Sequence, residues 1–124
     1  MAEKRFFKSR KEFGDHGEQI AIAFLRQKGY RILDTNFRKR VGEVDIVAMD
    51  GKNQYVFVEV KTRRNTRFGY PEESVNFRKL RKILMTGQLW LAEKKINTDN
   101  YRLDVISIEM DNGDAHITHF ENLS

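Results

Sequence analysis

Cysteine is absent from the 124 residues, which excludes a disulfide scaffold and thiolate zinc sites. Proline occurs once and tryptophan once. The longest uncharged apolar stretch, Ile83–Ala92, falls well short of the roughly 20 residues that a membrane helix needs. No apolar segment accompanies the early charges Glu3, Lys4, Arg5, Lys8, Arg10 and Lys11, so no secretory signal is expected and a cytoplasmic location is. Neither G-x-G-x-x-G nor a Walker loop occurs, which leaves nucleotide-cofactor chemistry without support. Acidic residues are scarce early in the chain. Through Lys82 there are 20 Lys/Arg against 11 Asp/Glu, and from Ile83 onward 3 against 7.

What is present describes one globular domain: 40% hydrophobic and 33% charged residues in a length that builds one core and not two. The excess positive charge belongs to the same stretch of chain as a set of acids embedded in apolar strands. A basic surface around an acidic pocket suits a polyanion delivered to a metal.

Residues 1–13 are basic and aperiodic, and read as a mobile arm ahead of a single domain at 14–124. Gly14-Asp15-His16-Gly17 then opens a helix at about Glu18–Lys28, closed by Gly29. Glu18 shares its stripe with Ala21, Ile22 and Leu25 and admits two readings: a first-turn carboxylate favoured by the helix dipole, or a carboxylate aimed at a pocket. Tyr30–Phe37 reads as a strand, followed by the basic turn Arg38-Lys39-Arg40, a solvated turn or a phosphate contact.

Two further strands, Glu43–Asp50 and Gln54–Lys61, flank a polar turn and form an antiparallel hairpin. Alternation gives Glu43, Asp45, Val47 and Met49 one face of the first strand, and Tyr55, Phe57, Glu59 and Lys61 one face of the second. Two carboxylates and an amine in Val/Ile-rich strands are costly to bury without a partner, and a divalent cation is such a partner. Oxygen donors without thiolate point to Mg²⁺ or Mn²⁺. Asp45, Glu59 and the Val60 carbonyl are the expected metal ligands, with Glu18 reaching the ion directly or through water. Lys61 is expected to orient or deprotonate water and to pair with a phosphate.

The polar loop at 62–75 carries Arg63, Arg64 and Arg67. A helix from about Phe77 to Lys94 follows, with Asn76 as N-cap. Arg78, Lys79, Arg81 and Lys82 crowd its first turns against the helix dipole, a conflict that an anion would relieve. Tyr101–Met110 is a strand with Leu103 and Val105 on one face and Asp104, Ile106 and Ile108 on the other. Asp104 is expected to pair with a neighbouring Arg. The Asp111–Asp114 turn leads to a last strand at 115–120. His116 and His119 alternate to opposite faces, which argues against a two-His metal site. A strand–helix–strand crossover makes the 54–61 and 101–110 strands parallel, so the sheet is mixed and flanked by helices.

G-D-H-G-E-Q-I-A at 14–21, G-E-V-D-I-V-A at 42–48, F-V-E-V-K-T-R at 57–63, F-G-Y-P-E-E-S-V at 68–75 and Y-R-L-D-V-I at 101–106 resemble the YraN family of small bacterial proteins. That family looks like part of the restriction-endonuclease-like PD-(D/E)xK superfamily and is similar to archaeal Holliday junction resolvases. The resemblance covers roughly residues 11–110. It implies an α/β fold with an α-β-β-β-α-β core, Glu18, Asp45, Glu59 and Lys61 as an active-site quartet, and Lys79 as a helix lysine near the substrate. Ser74 and Gly87 depart from the family's usual alanines and touch none of the four.

The expected function is therefore a Mg²⁺- or Mn²⁺-dependent endonuclease acting on DNA, with branched or single-stranded forms as candidate substrates. Arg63, Arg64, Arg67, Arg78, Lys79 and Lys82 are the expected nucleic-acid contacts. A homodimer is the assembly that a junction-cutting reaction would need. The alternative is a non-catalytic nucleic-acid-binding module that keeps the fold.

Overall fold

The computed structural model describes residues 9–64 and 76–123. Helix α1 (Arg10–Gln27) leads into strands β1 (Arg31–Lys39), β2 (Gly42–Met49) and β3 (Tyr55–Arg63). Helix α2 (Phe77–Glu93), β4 (Tyr101–Asp111) and β5 (Asp114–Phe120) follow. This is the expected α-β-β-β-α-β order with one strand added at the end.

Helix α1 begins at Arg10, so residues 10–13, expected to be aperiodic, are helical. The cause is a cap: the Ser9 side chain accepts from the Glu12 amide at 3.1 Å, the first half of an S-x-x-E box. Gly14 and Gly17 lie inside the helix rather than before it. At Gly17 the helix passes so close to β3 that an added Cβ would collide with the Thr62 side chain. Glycine is there to permit the approach, not to break the helix. The other end is as expected: Gly29 takes φ +90°, with Tyr30 N–H donating to Leu25 O and Gly29 N–H to Arg26 O, both at 3.0 Å.

The sheet runs β1-β2-β3-β4-β5. Only the β3–β4 pair is parallel, with α2 in the crossover. Alternation sorts the strand side chains onto two covered faces. Helix α1 covers Ile46, Ala48, Val56, Val58, Ile106 and Ile108 through Ala21, Ile22 and Leu25. Helix α2 covers Val47, Phe57, Leu103 and Val105 through Leu80, Ile83, Trp90 and Leu91. The Asn76 side chain caps α2 by accepting from the Lys79 amide at 2.9 Å. Trp90 is buried, and its indole N–H donates to Asp34 at 2.9 Å. Among the described residues no helix is long and apolar enough to cross a membrane.

One irregularity positions the site. The β2–β3 ladder runs from Met49–Tyr55 to Ile46–Val58 and stops there. Beyond that point β2 stays with β1 as far as the Lys39–Gly42 pair, and β3 stays with β4 as far as Arg63–Glu109. The sheet forks.

Candidate active site

The first residues past the fork are Asp45 on β2 and Glu59 and Val60 on β3. Continuing the register would place Asp45 opposite Glu59. Instead of a backbone partner on β2, the Val60 N–H finds the Asp45 carboxylate, donating to Oδ2 at 2.8 Å. The N–H and C=O of one strand residue point to the same edge, so the Val60 carbonyl also looks into the fork.

Over this fork lies the N-terminal half of α1. Together they enclose a cleft of about 860 Å³ lined by Glu18, Glu43, Asp45, Glu59 and Val60, with Lys11, Phe13, Asp15, Asn36 and Thr62 around them. A smaller cavity of about 270 Å³ opens on the α2 side and shares Glu43, Asp45 and Glu59 with the first. Gly42, Lys79, Lys82 and Ile83 complete its wall. Glu18, Glu43, Asp45 and Glu59 thus gather where the sheet divides, and Asp15 lines the same cleft.

Their negative charges are only partly paired within the fold. Burial, reinforced by the negative charge of Glu59, pushes the Asp45 carboxyl up to about 7, against the opposing hydrogen bond from Val60. Burial also raises Glu18, with the Asn36 side chain opposing through a hydrogen bond. Glu59 is 8% exposed and faces two cations: Lys79 Nζ at 3.1 Å and Lys61 Nζ at 3.6 Å. Burial and the adjacent Lys79 ammonium push Lys61 below its ordinary value. Lys79 is raised, because its bonds with Lys61 and Glu59 outweigh its burial. The pair divides the work, with Lys79 carrying charge and Lys61 eased toward the neutral amine.

Of the residues expected from the sequence, Glu18, Asp45, Glu59 and Val60 share the larger cleft. Lys61 lines neither cavity and reaches the group through Glu59. Lys79 and Lys82 line the smaller one. Arg78 is exposed on the first turn of α2, Arg63 ends β3, and the Arg64 guanidinium lies 4.6 Å from the centre of the Phe13 ring. Arg67 falls outside the described residues. Within the basic turn, Arg38 bonds Glu43 at 2.8 Å and Lys39 bonds Glu93 at 2.6 Å. Glu43 was overlooked as a site residue, although alternation had already set it on the face of Asp45. Asn36, which takes φ +53°, left no comparable signal.

The donor set fits a hard divalent cation. It consists of carboxylates and a backbone carbonyl, and burial together with the nearby Glu59 charge disfavours the Asp45 anion, a penalty that a bound cation would offset. Glu18, Asp45, Glu59 and Val60 are the residues that would hold such an ion.

A second polar cluster sits at the other end of α1, and the sequence predicted only part of it. Arg102 donates to Asp104 as expected, at 3.0 and 3.2 Å, and also to Asp50 at 2.7 Å and to the Tyr30 hydroxyl at 2.7 Å. His119 Nε2 lies 2.7 Å from Asp104 Oδ2, and its Nδ1 lies 2.8 Å from Lys28 Nζ. With Nε2 protonated toward Asp104, Nδ1 is the acceptor for the Lys28 ammonium. Asp104, His119 and Glu121 bring ligand atoms within 4.8 Å of one another, a spacing a metal ion can use. Here, however, Arg102 and the Asn122 amide already engage the Asp104 oxygens. Burial works to raise Asp104, and the bonds from His119, Arg102 and Asn122 outweigh it and hold the carboxyl below its ordinary value.

Comparison with known proteins agrees with the motifs. A UPF0102 protein of Persephonella marina is 45% identical over 109 residues, covering 88% of this chain and 90% of the relative. One from Alkaliphilus oremlandii is 45% identical over 114 residues, covering 90% and 97%. Among solved structures, a repair endonuclease from Pyrococcus abyssi overlaps 90% of this chain with a TM-score of 0.47 and 14% identity, and the chain spans 42% of its length. Pyrococcus furiosus SfsA in complex with Ca²⁺ overlaps 90% at a TM-score of 0.34 and 17% identity, with 62% of its length spanned. Those two overlaps are too distant to transfer any residue role. The family match covers residues 17–108, and the chain belongs to the Uncharacterised protein family UPF0102, in keeping with the resemblance its motifs carry.

Proposed function

We propose that this protein is a Mg²⁺- or Mn²⁺-dependent phosphodiester hydrolase that cuts DNA at the forked cleft. The observation that carries the reading is the fork itself, which sets Asp45 against Glu59 and Val60 and leaves Asp45 short of positive charge. A divalent cation bound by Asp45, Glu59, the Val60 carbonyl and Glu18 would lower the pKa of water and offset charge on the phosphoryl oxygens. The remaining work falls to the protein's own side chains. Glu59 is held in position by Lys79 and Lys61. Lys61 Nζ orients the attacking water and accepts its proton as the oxygen adds to phosphorus and the ester P–O bond breaks, and the leaving sugar oxygen takes a proton from solvent to depart as the hydroxyl. Lys79, with the higher pKa of the two, keeps its charge and pairs with the phosphate. Arg63, Arg64, Arg67, Arg78 and Lys82 supply backbone contacts to the nucleic acid.

The test is nicking of supercoiled and branched DNA by the purified full chain with Mn²⁺ or Mg²⁺. Wild type is expected to cut, and Asp45→Ala and Lys61→Ala each to lose about 100-fold or more in rate. Equal trace cleavage by wild type and Lys61→Ala would defeat the catalytic reading. If DNA binding then persisted without metal and weakened steeply with salt, the protein would be a nucleic-acid-binding module.

A further inference from the structure

Helix α2 buries one side against the sheet, where Trp90 and Leu91 are each 4% exposed. Its opposite side carries Phe77, 84% exposed, with Met85 at 46% and Leu89 at 43%. With Arg81, these positions recur every fourth residue and form one continuous outer stripe. A fully presented phenylalanine is an unusual residue to leave on a surface, and an exposed apolar stripe of this kind marks a contact.

Charge selects the occupant. The helix has no acidic residue before Glu93, and Lys39 holds Glu93 at 2.6 Å. Arg78, Arg81 and Lys82 are exposed on and beside the stripe. A second copy of the chain packed here would bring these cations against a helix whose other end carries Lys94 and Lys95, with no complementary anion. A polyanion with flat apolar groups has the opposite fit. Helical spacing sets Arg78 and Lys82 on the side of the stripe nearer Lys79. Lys79 and Lys82 in turn line the smaller cavity that opens onto Asp45 and Glu59.

We infer that the Phe77–Met85–Leu89 stripe is a stacking platform for unpaired nucleobases, with Arg78 and Lys82 tracking the phosphates between that platform and the cleft. The inference rests on the nucleic-acid reading above and deepens it. Every base presents a π-face, so stacking on Phe77 is indifferent to sequence, but it requires a base freed from its pair. The platform therefore makes single-stranded or splayed DNA the preferred ligand, and duplex DNA reaches only the basic residues.

The test measures binding by fluorescence anisotropy on the full chain in EDTA, so that affinity is read without cleavage. The probes are a labelled oligothymidylate and a duplex of the same length. Wild type is expected to bind the single strand more tightly. Phe77→Ala should lose about tenfold on the single strand and less than about twofold on the duplex. Phe77→Trp should restore single-strand binding. Because Phe77 lies outside the core, both variants should keep the wild-type thermal midpoint. Unchanged single-strand affinity in Phe77→Ala, equal losses on both probes, or a wild-type preference for duplex would overturn the platform. So would sedimentation showing that Phe77→Ala splits a dimer, which would assign the stripe to a second copy. Wild type that cuts DNA with Mn²⁺ while Phe77→Ala binds normally removes only this inference. Wild type that binds neither probe removes the nucleic-acid reading as well.

Discussion

Two groups of buried and half-buried carboxylates occupy opposite ends of α1, and their charge is settled in opposite ways. At the helix C-terminus, Asp104 and Asp50 are met by Arg102, with His119 and backbone amides completing the shell, and both acids sit below their ordinary values. At the N-terminal half, Glu18, Glu43, Asp45 and Glu59 converge where the sheet forks, and Asp45 is pushed up to about 7. The residue types are similar. What differs is whether a cation meets every acid: Glu43 meets Arg38 and Glu59 meets Lys79 and Lys61, whereas Asp45 is bonded by the Val60 amide. Where it does, the acids are structural. Where it does not, we propose that the cleft takes a cation.

The sharpest way to break the comparison is to remove the internal counter-charge. Arg102→Ala leaves Asp104 and Asp50 buried without a cation and should cost about 3–5 kcal/mol in urea unfolding. A loss under about 1 kcal/mol would mean the network is not a closed ion cluster.

The cleft should respond with the reverse sign. Asp45 binds its proton more tightly in the folded chain than in the unfolded one, so stability is expected to fall as pH rises from about 4 to about 7. Asp45→Asn should flatten that fall and raise stability at pH 8 by about 1–2 kcal/mol while abolishing cleavage. Saturating Mn²⁺ should stabilise wild type at pH 8 and leave Asp45→Asn unmoved, read as a shift in thermal midpoint. Asp104 and Asp50 carry the opposite dependence. Their lowered values give stability that is present above about pH 4 and is lost only as pH drops through the folded values. A wild-type stability that climbs steadily from pH 5 to 8 would contradict the cleft's unmet charge.

The smallest effect concerns Ser107, which pairs with Lys61 across β3 and β4 and has a buried hydroxyl without a hydrogen-bond partner. Ser107→Ala removes an unsatisfied group and should raise stability by about 1 kcal/mol. A destabilisation would show that the hydroxyl is engaged through water.

Much of this was legible in the residues. Period-two alternation of Val, Ile and Phe located β2, β3 and β4, and the charged exceptions Asp45, Glu59 and Lys61 stood out because such positions are costly to bury unpaired. Asn76 and Gly29 announced their caps. The start of α1 was misread because Gly14 and Gly17 resemble breakers, and only the proximity of Thr62 explains why a glycine belongs at 17. Arg102 could be matched with Asp104, two residues away, but its bond to Asp50 spans 52 positions, a separation that no local pattern encodes.

The sequence by itself determined the order of the elements, their two covered faces and the family, because periodicity and residue type act locally. Only the tertiary structure decided that the β2–β3 ladder ends at Ile46–Val58, that Glu43 joins the acids, and that Lys61 meets the site through Glu59 beside Lys79. Those outcomes depend on where two strands part and which helix lies over the gap. They are set by packing between residues far apart in the chain, and so is the unmet charge on Asp45.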